Sequence, residues 1–167
     1  MIIRPEMPAD VTAIRNVTLA AFKDPPHSNQ TEHLIIERLR AAGALVLSLV
    51  AEAEGSVIGH IAFSAVTVSS GATGWFGLGP VSVQPEFQRR GVGAGLIQEG
   101  LESLSKRNAA GCVVMGDPDL YRKFGFASNP ALVLQDCAPQ YFLALALHGP
   151  PASGIVSYHD AFYGEAR

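Results

Sequence analysis

Cysteine is scarce: Cys112 and Cys137 are the only two in the 167 residues. No disulfide framework of the kind that staples small secreted domains is available, so a reducing cytoplasm is the expected setting. Charge is also thin. Charged residues make up 16% of the chain, 12 basic against 15 acidic, for a net of −3. That excludes the clustered basic excess a nucleic-acid face requires. No apolar run reaches bilayer length, since Ala44–Ala51 and Tyr141–Leu147 are far too short, so no membrane partner is expected. The opening Met1-Ile2-Ile3-Arg4-Pro5 lacks the apolar core of a signal peptide. No His, Cys or carboxylate cluster has metal-ligand spacing, so no metal is expected.

What is present is a core. Hydrophobic residues make up 48% of the chain, enough for one domain spanning residues 1–167. Ile2-Ile3-Arg4 reads as a short strand that stops at Pro5. Val11, Ile14, Val17 and Ala21 recur at helical spacing to about Phe22, after Pro8 and Asp10 in a first turn. Lys23–Gln30, with Pro25-Pro26, is expected as a loop in which His27 and neighbouring His33 are solvated. A second helix places Leu34, Ile35 and Leu39 on one face and ends near Gly43. Leu45–Glu52 and Val57–Val68 flank a Glu54-Gly55 turn as a hairpin, and Trp75–Val83 makes a third antiparallel strand. Gln88–Arg107 carries Val92, Leu96, Ile97, Gly100, Leu101 and Leu104 at helical spacing. Gly111–Met115 then returns as a strand through a parallel crossover. A short helical turn over Asp119–Lys123 and β-type runs near Ala131–Leu134, Tyr141–Leu147 and Ile155–Tyr158 complete an α+β fold with a mixed sheet. The Tyr141–Leu147 run is a core strand first and the edge of a possible homodimer second.

The chemistry concentrates between Gly77 and Ala94. Pro80 lies inside a strand and donates no N–H, so the ladder is interrupted there by an edge or a bulge. Gly91, Gly93 and Gly95 crowd the start of a helix, where each glycine costs about 1 kcal/mol against alanine. A physical reason is anion binding. The first helical turn leaves N–H groups unpaired, bare glycines let a phosphate approach them, and Arg89 and Arg90 add charge-assisted hydrogen bonds. A Walker loop is excluded because Leu96-Ile97, not Lys-Ser/Thr, follows Gly95. A dinucleotide fingerprint fails at Leu96, where it requires glycine.

The run Gln88-Arg89-Arg90-Gly91-Val92-Gly93-Ala94 resembles the Q/R-x-x-G-x-G/A signature of the GNAT superfamily of N-acetyltransferases. Leu78–Val83 is similar to that family's bulged central strand. Gly116-Asp117-Pro118 and Tyr121-Arg122-Lys123-Phe124-Gly125-Phe126 are similar to its Tyr-x-x-x-Gly-Phe element, in wording close to a small YhbS-like bacterial branch. The resemblance implies an α/β/α-layered, mostly antiparallel sheet with a splayed central strand and an acetyl-CoA-dependent N-acetyltransferase. It implies that pantetheine lies along Val81, Ser82 and Val83, and that the cofactor loop Gln88–Ala94, with Arg89, Arg90, Gly91, Val92 and Gly93, seats the diphosphate.

Acetyl transfer to an amine sets three further demands. With a lysine-like pKa of about 10.4, only about one amine in 2,500 is free base at pH 7, a handicap of roughly 4–5 kcal/mol. The oxyanion needs a donor, which the bulged strand near Val81 supplies. The leaving thiolate needs a proton, and Tyr121 is the candidate acid, at an equilibrium cost of about 2 kcal/mol if both groups keep ordinary pKa values. Asp117, His60, Glu32 and Asp119 are candidate bases in that order; a water relay is the alternative. Plainer roles stand beside these: Gly95 as packing, His60 as a structural histidine, Asp117 as a helix cap, Tyr121 as a core tyrosine. A non-catalytic acyl-CoA-binding sensor is the alternative function, and a protein N-terminus or lysine the alternative acceptor.

Overall fold

The computed structural model describes residues 1–24 and 30–164; the expected loop residues Pro25, Pro26 and His27 lie outside them. In chain order the elements are β1 (Ile2–Pro5), α1 (Val11–Ala21), α2 (Glu32–Ala41), β2 (Leu47–Ala53), β3 (Ser56–Ala65), β4 (Thr67–Val68) and β5 (Trp75–Val83). Then follow α3 (Val92–Lys106), β6 (Gly111–Met115), α4 (Pro118–Tyr121), β7 (Ala127–Ser128), β8 (Leu132–Leu134), β9 (Phe142–Ala146) and β10 (Gly154–Ser157). The chain divides into two compact units. The first comprises Met1–Phe63, Gly79–Gly100 and Asp160–Arg167; the second comprises Ser64–Leu78 and Leu101–His159, each over its described residues.

In the first unit β1, β2 and β3 are consecutive antiparallel neighbours, with Ile2 opposite Glu52 and Val50 opposite His60. The two-residue turn at Glu54 (φ 52°) and Gly55 (φ 80°) takes two left-handed positions, the geometry whose twist suits a tight hairpin. Arg4 ties the edge strand down by pairing with Asp10 at 2.8 Å and Glu52 at 2.9 Å. Ile14 and Ile36 pack on Val50, so α1 and α2 cover one face of this sheet. The buried face of α2 is Ile36 and Leu39; the expected Leu34 and Ile35 are only half-buried. On the other face Phe63 meets Gly100 of α3, where an added Cβ would lie 2.5 Å from the ring. Gly95 serves packing likewise, with Ile3 at 3.1 Å from such a Cβ.

In the second unit β5 runs parallel to β6, Trp75 opposite Gly111, and β6 pairs antiparallel with β9. β9 is not an edge: β7 pairs with it on its other side. The expected strand Val57–Val68 is broken. β3 ends at Ala65, and β4 joins β10 and β8 in a separate three-stranded sheet, in which β10 and β8 form a second parallel pair. Trp75, Val113, Leu132, Leu134, Phe142 and Val156 close this unit's core.

β5 carries the expected bulge. Gln84 N–H donates to Ile58 O (2.8 Å) and Val66 N–H to Trp75 O (3.1 Å). Nine residue steps on β5 therefore oppose eight on the neighbouring strand, one residue too many. Gly79 (φ 129°) lies between those bonds and is joined to Pro80 by a cis peptide.

Candidate active site

The residues expected to hold a cofactor are brought together in the first unit. Val81, Ser82 and Val83 end β5, and a 3-10 turn over Pro85–Phe87 leads to extended Gln88. Gln88 Nε2 donates to Val83 O (3.1 Å), so this side chain ties the loop to the strand end. Arg89 (φ 64°) and Gly91 (φ 84°) are both left-handed. For arginine that is an uncommon conformation, and left-handed positions alternating along a turn gather successive amides into an anion-binding concavity.

The helix itself opens at Val92, not at the expected Gln88, because Arg89 and Gly91 break the right-handed run. Its first i→i−4 bond runs from Gly95 N–H to Gly91 O (3.0 Å). The N–H groups of Val92, Gly93 and Ala94 precede it and have no acceptor within the helix. An added Cβ at Gly91 would meet nothing within 4 Å, and one at Gly93 only Val83 Cγ2 at 3.6 Å. Both arginines are exposed, with Arg90 over the Phe87 ring at 5.8 Å. Bare amides, open space and two guanidinium groups suit a diphosphate. Among the described residues no group of His, Cys, Asp and Glu is arranged to hold a metal ion.

The second unit builds a tyrosine corner. Asp117 caps α4 by accepting the Asp119 N–H on Oδ1 (2.9 Å), and its carbonyl accepts the N–H groups of Leu120 (3.1 Å) and Tyr121 (3.2 Å). The Tyr121 ring lies against Gly116, where an added Cβ would fall 2.6 Å from Cε2. Gly125 (φ 99°) ends the following 3-10 turn and brings Phe126 edge-on to Tyr121, centroids 5.8 Å apart. Burial, reinforced by Cys112, pushes the Tyr121 hydroxyl up to about 12.

The other candidate bases separate. Asp119 is exposed and paired with Arg122 at 2.5 Å. Glu32 and His33 line a cavity of about 400 Å³ with Thr18, Leu19, Phe22 and Lys23. His60 is fully buried, and burial pushes its imidazole down to about 4. His60 Nε2 lies 2.8 Å from Ser48 Oγ, Ser48 Oγ donates to Glu6 Oε1, and Glu6 binds Arg40 at 2.9 Å and 3.1 Å. The sequence reading missed Glu6, Ser48 and Arg40. The available signal was a polar residue, Ser48 or His60, set into each of two apolar strands.

The family model described as Acetyltransferase (GNAT) family matches residues 11–126. The uncharacterized N-acetyltransferase YhbS of Escherichia coli K12 is 34% identical over 97% of this chain and 98% of its own length. The crystal structure of E. coli YhbS in complex with CoA superposes with a TM-score of 0.89 at 31% identity, over 99% of this chain and 93% of that one. A GNAT family acetyltransferase from Brucella melitensis, solved in complex with acetyl-CoA, matches with a TM-score of 0.86 at 48% identity, over 96% and 97%.

Proposed function

Because this chain belongs to the GNAT family of acetyltransferases, we propose that it binds acetyl-CoA and transfers the acetyl group by direct attack of a primary amine, as one cytoplasmic domain. The observation that carries this reading is Gly93, a glycine with open space where a side chain would stand and no left-handed φ to require it, beside amides with no helical acceptor. The acetyl-CoA and CoA bound to the Brucella and E. coli proteins name the ligand.

On this reading the amides of Arg89 to Ala94 and both guanidinium groups bind the diphosphate. Val81, Ser82 and Val83 offer backbone to the pantetheine arm. The thioester supplies an activated acetyl group. The Val81 N–H donates to the carbonyl oxygen as negative charge develops on it. Tyr121 then gives its proton to the departing thiolate. With Tyr121 at about 12 and a thiol at about 8.5, that step is uphill by about 5 kcal/mol at equilibrium, steeper than ordinary pKa values imply. Burial also destabilises the thiolate, which offsets part of the difference. Asp117 serves this acid by capping the helix that carries it.

Calorimetric titration with acetyl-CoA and an amine panel read by thiol release test the proposal together. The expected outcome is saturable binding and transfer, with Tyr121→Phe keeping the binding and losing kcat by about 10²-fold or more. No binding at millimolar ligand overturns the reading. Unchanged kcat in Tyr121→Phe overturns the role of the tyrosine.

A further inference from the structure

His60 is 0% exposed and its Nδ1 has no hydrogen-bond partner. An unpartnered polar atom in a core costs about 1–3 kcal/mol, and native structures keep few of them. The bonding around it fixes which proton is where. Glu6 lies below the ordinary carboxylate range: burial works against its charge, but hydrogen bonds from Arg40 and Ser48 outweigh that. An ionised Glu6 only accepts, so Ser48 donates its hydroxyl to Glu6 and must accept from His60. The neutral ring therefore carries its hydrogen on Nε2, and Nδ1 presents a bare lone pair.

His60 is sited next to the strand expected to hold the cofactor. The Gln84–Ile58 bond sets β5 against β3 so that Ser82 stands across from His60, about 5 Å between Cβ atoms. Ser82 is 1% exposed and its hydroxyl points to Thr18 Oγ1 at 3.4 Å, and Thr18 lines the cavity at the end of α1. At the other end the Glu6 side chain is 19% exposed and reaches solvent.

We propose that His60, Ser48 and Glu6 form a proton relay that removes the acceptor amine's proton during acetyl transfer; it rests on the acetyltransferase reading. As the C–N bond forms, the nitrogen's proton passes through one water beside Ser82 and Thr18 to His60 Nδ1. The Nε2 proton moves to Ser48 Oγ, and the Ser48 hydroxyl proton moves to the Glu6 carboxylate, which releases it to water. The ring remains neutral throughout, consistent with its buried position. When the site reopens, Nδ1 yields its proton to entering water and Nε2 is reprotonated through Ser48. The charged groups acting on the ring are Glu6 and Arg40, and they oppose each other.

The test compares Glu6→Gln with Arg40→Gln. Both lose the ion pair, but only the first loses the terminal proton acceptor. Glu6→Gln is expected to lower kcat about 10²-fold near pH 7 with acetyl-CoA affinity unchanged. Its loss should shrink about tenfold per pH unit toward the amine's own pKa, while Arg40→Gln, which frees Glu6 to rise, should lose activity toward acid and recover it toward alkaline pH. Nitrogen-15 NMR of the unmodified protein should show His60 with Nδ1 unprotonated from about pH 5 to about pH 8. A parent-like Glu6→Gln profile, an Arg40→Gln loss that persists unchanged at alkaline pH, or an Nδ1–H ring each overturns the relay. Absence of amine acetylation by the unmodified protein overturns the reading beneath it as well.

Discussion

Glycine works in opposite ways in the two units. At Gly116 the space for a side chain is taken, because the Tyr121 ring fills it; at Gly125 Leu145 stands at 3.0 Å from an added Cβ. At Gly91 and Gly93 the space is open. The first kind is explained by the protein alone: the residue is small so that a neighbour fits. Gly91 is called for by its own left-handed backbone (φ 84°), but Gly93 has neither a crowding neighbour nor a left-handed φ to explain it, and a helix start left bare there points to something outside the chain. Side chains divide in the same manner. Phe126 meets Tyr121 edge-on, a matched pair, while His60 keeps one buried ring nitrogen unmatched.

Acid makes the largest difference between matched and unmatched groups. An unfolded His60 titrates near 6.5 and the folded one near 4, so below about pH 6.5 the unfolded state binds the proton first. Stability is full above that pH and falls by about 3 kcal/mol as pH drops through about 4. Urea unfolding across that range should show this component, and His60→Gln should remove it; equal slopes in the two proteins would contradict the burial effect.

Next in size is Gly116→Ala, whose methyl group collides with the Tyr121 ring. We expect a loss of about 1–3 kcal/mol in thermal unfolding, together with lower kcat from the displaced hydroxyl. The smallest effect, and opposite in sign, belongs to the same substitution at Gly93. There alanine meets no obstacle and favours helix, so Gly93→Ala should stabilise by up to about 1 kcal/mol while weakening acetyl-CoA binding. If Gly93→Ala left affinity intact, the open space would have no bearing on the ligand.

Much of this was readable in advance. Trp75–Val83 and Gly111–Met115 form strands over the expected residues, since short runs of aromatic and apolar residues with paired valines, set between turn residues, favour strands. The bulge was legible from Pro80, whereas the diphosphate role read from the glycines beside two arginines belongs to the proposal. What sequence did not reveal has a common cause: it depends on partners far along the chain. β4 leaves β3 because β10, about ninety residues later, offers Val68 a partner in Val156. The helix start at Val92 hid because arginine at position 89 gives no hint of a left-handed φ. Glu6 and Arg40 meet across 34 positions, which no local period records.

The surplus residue in β5 also decides which way its side chains aim. Before it Trp75 and Gly77 turn inward; after it Leu78, Pro80 and Ser82 do, so inward positions pass from odd numbers to even ones. Deleting a single residue between Gly77 and Pro80 would restore simple alternation. Trp75, Gly77, Pro80 and Ser82 would then all keep their inward aim on one regular face, and Leu78, where retained, would turn outward.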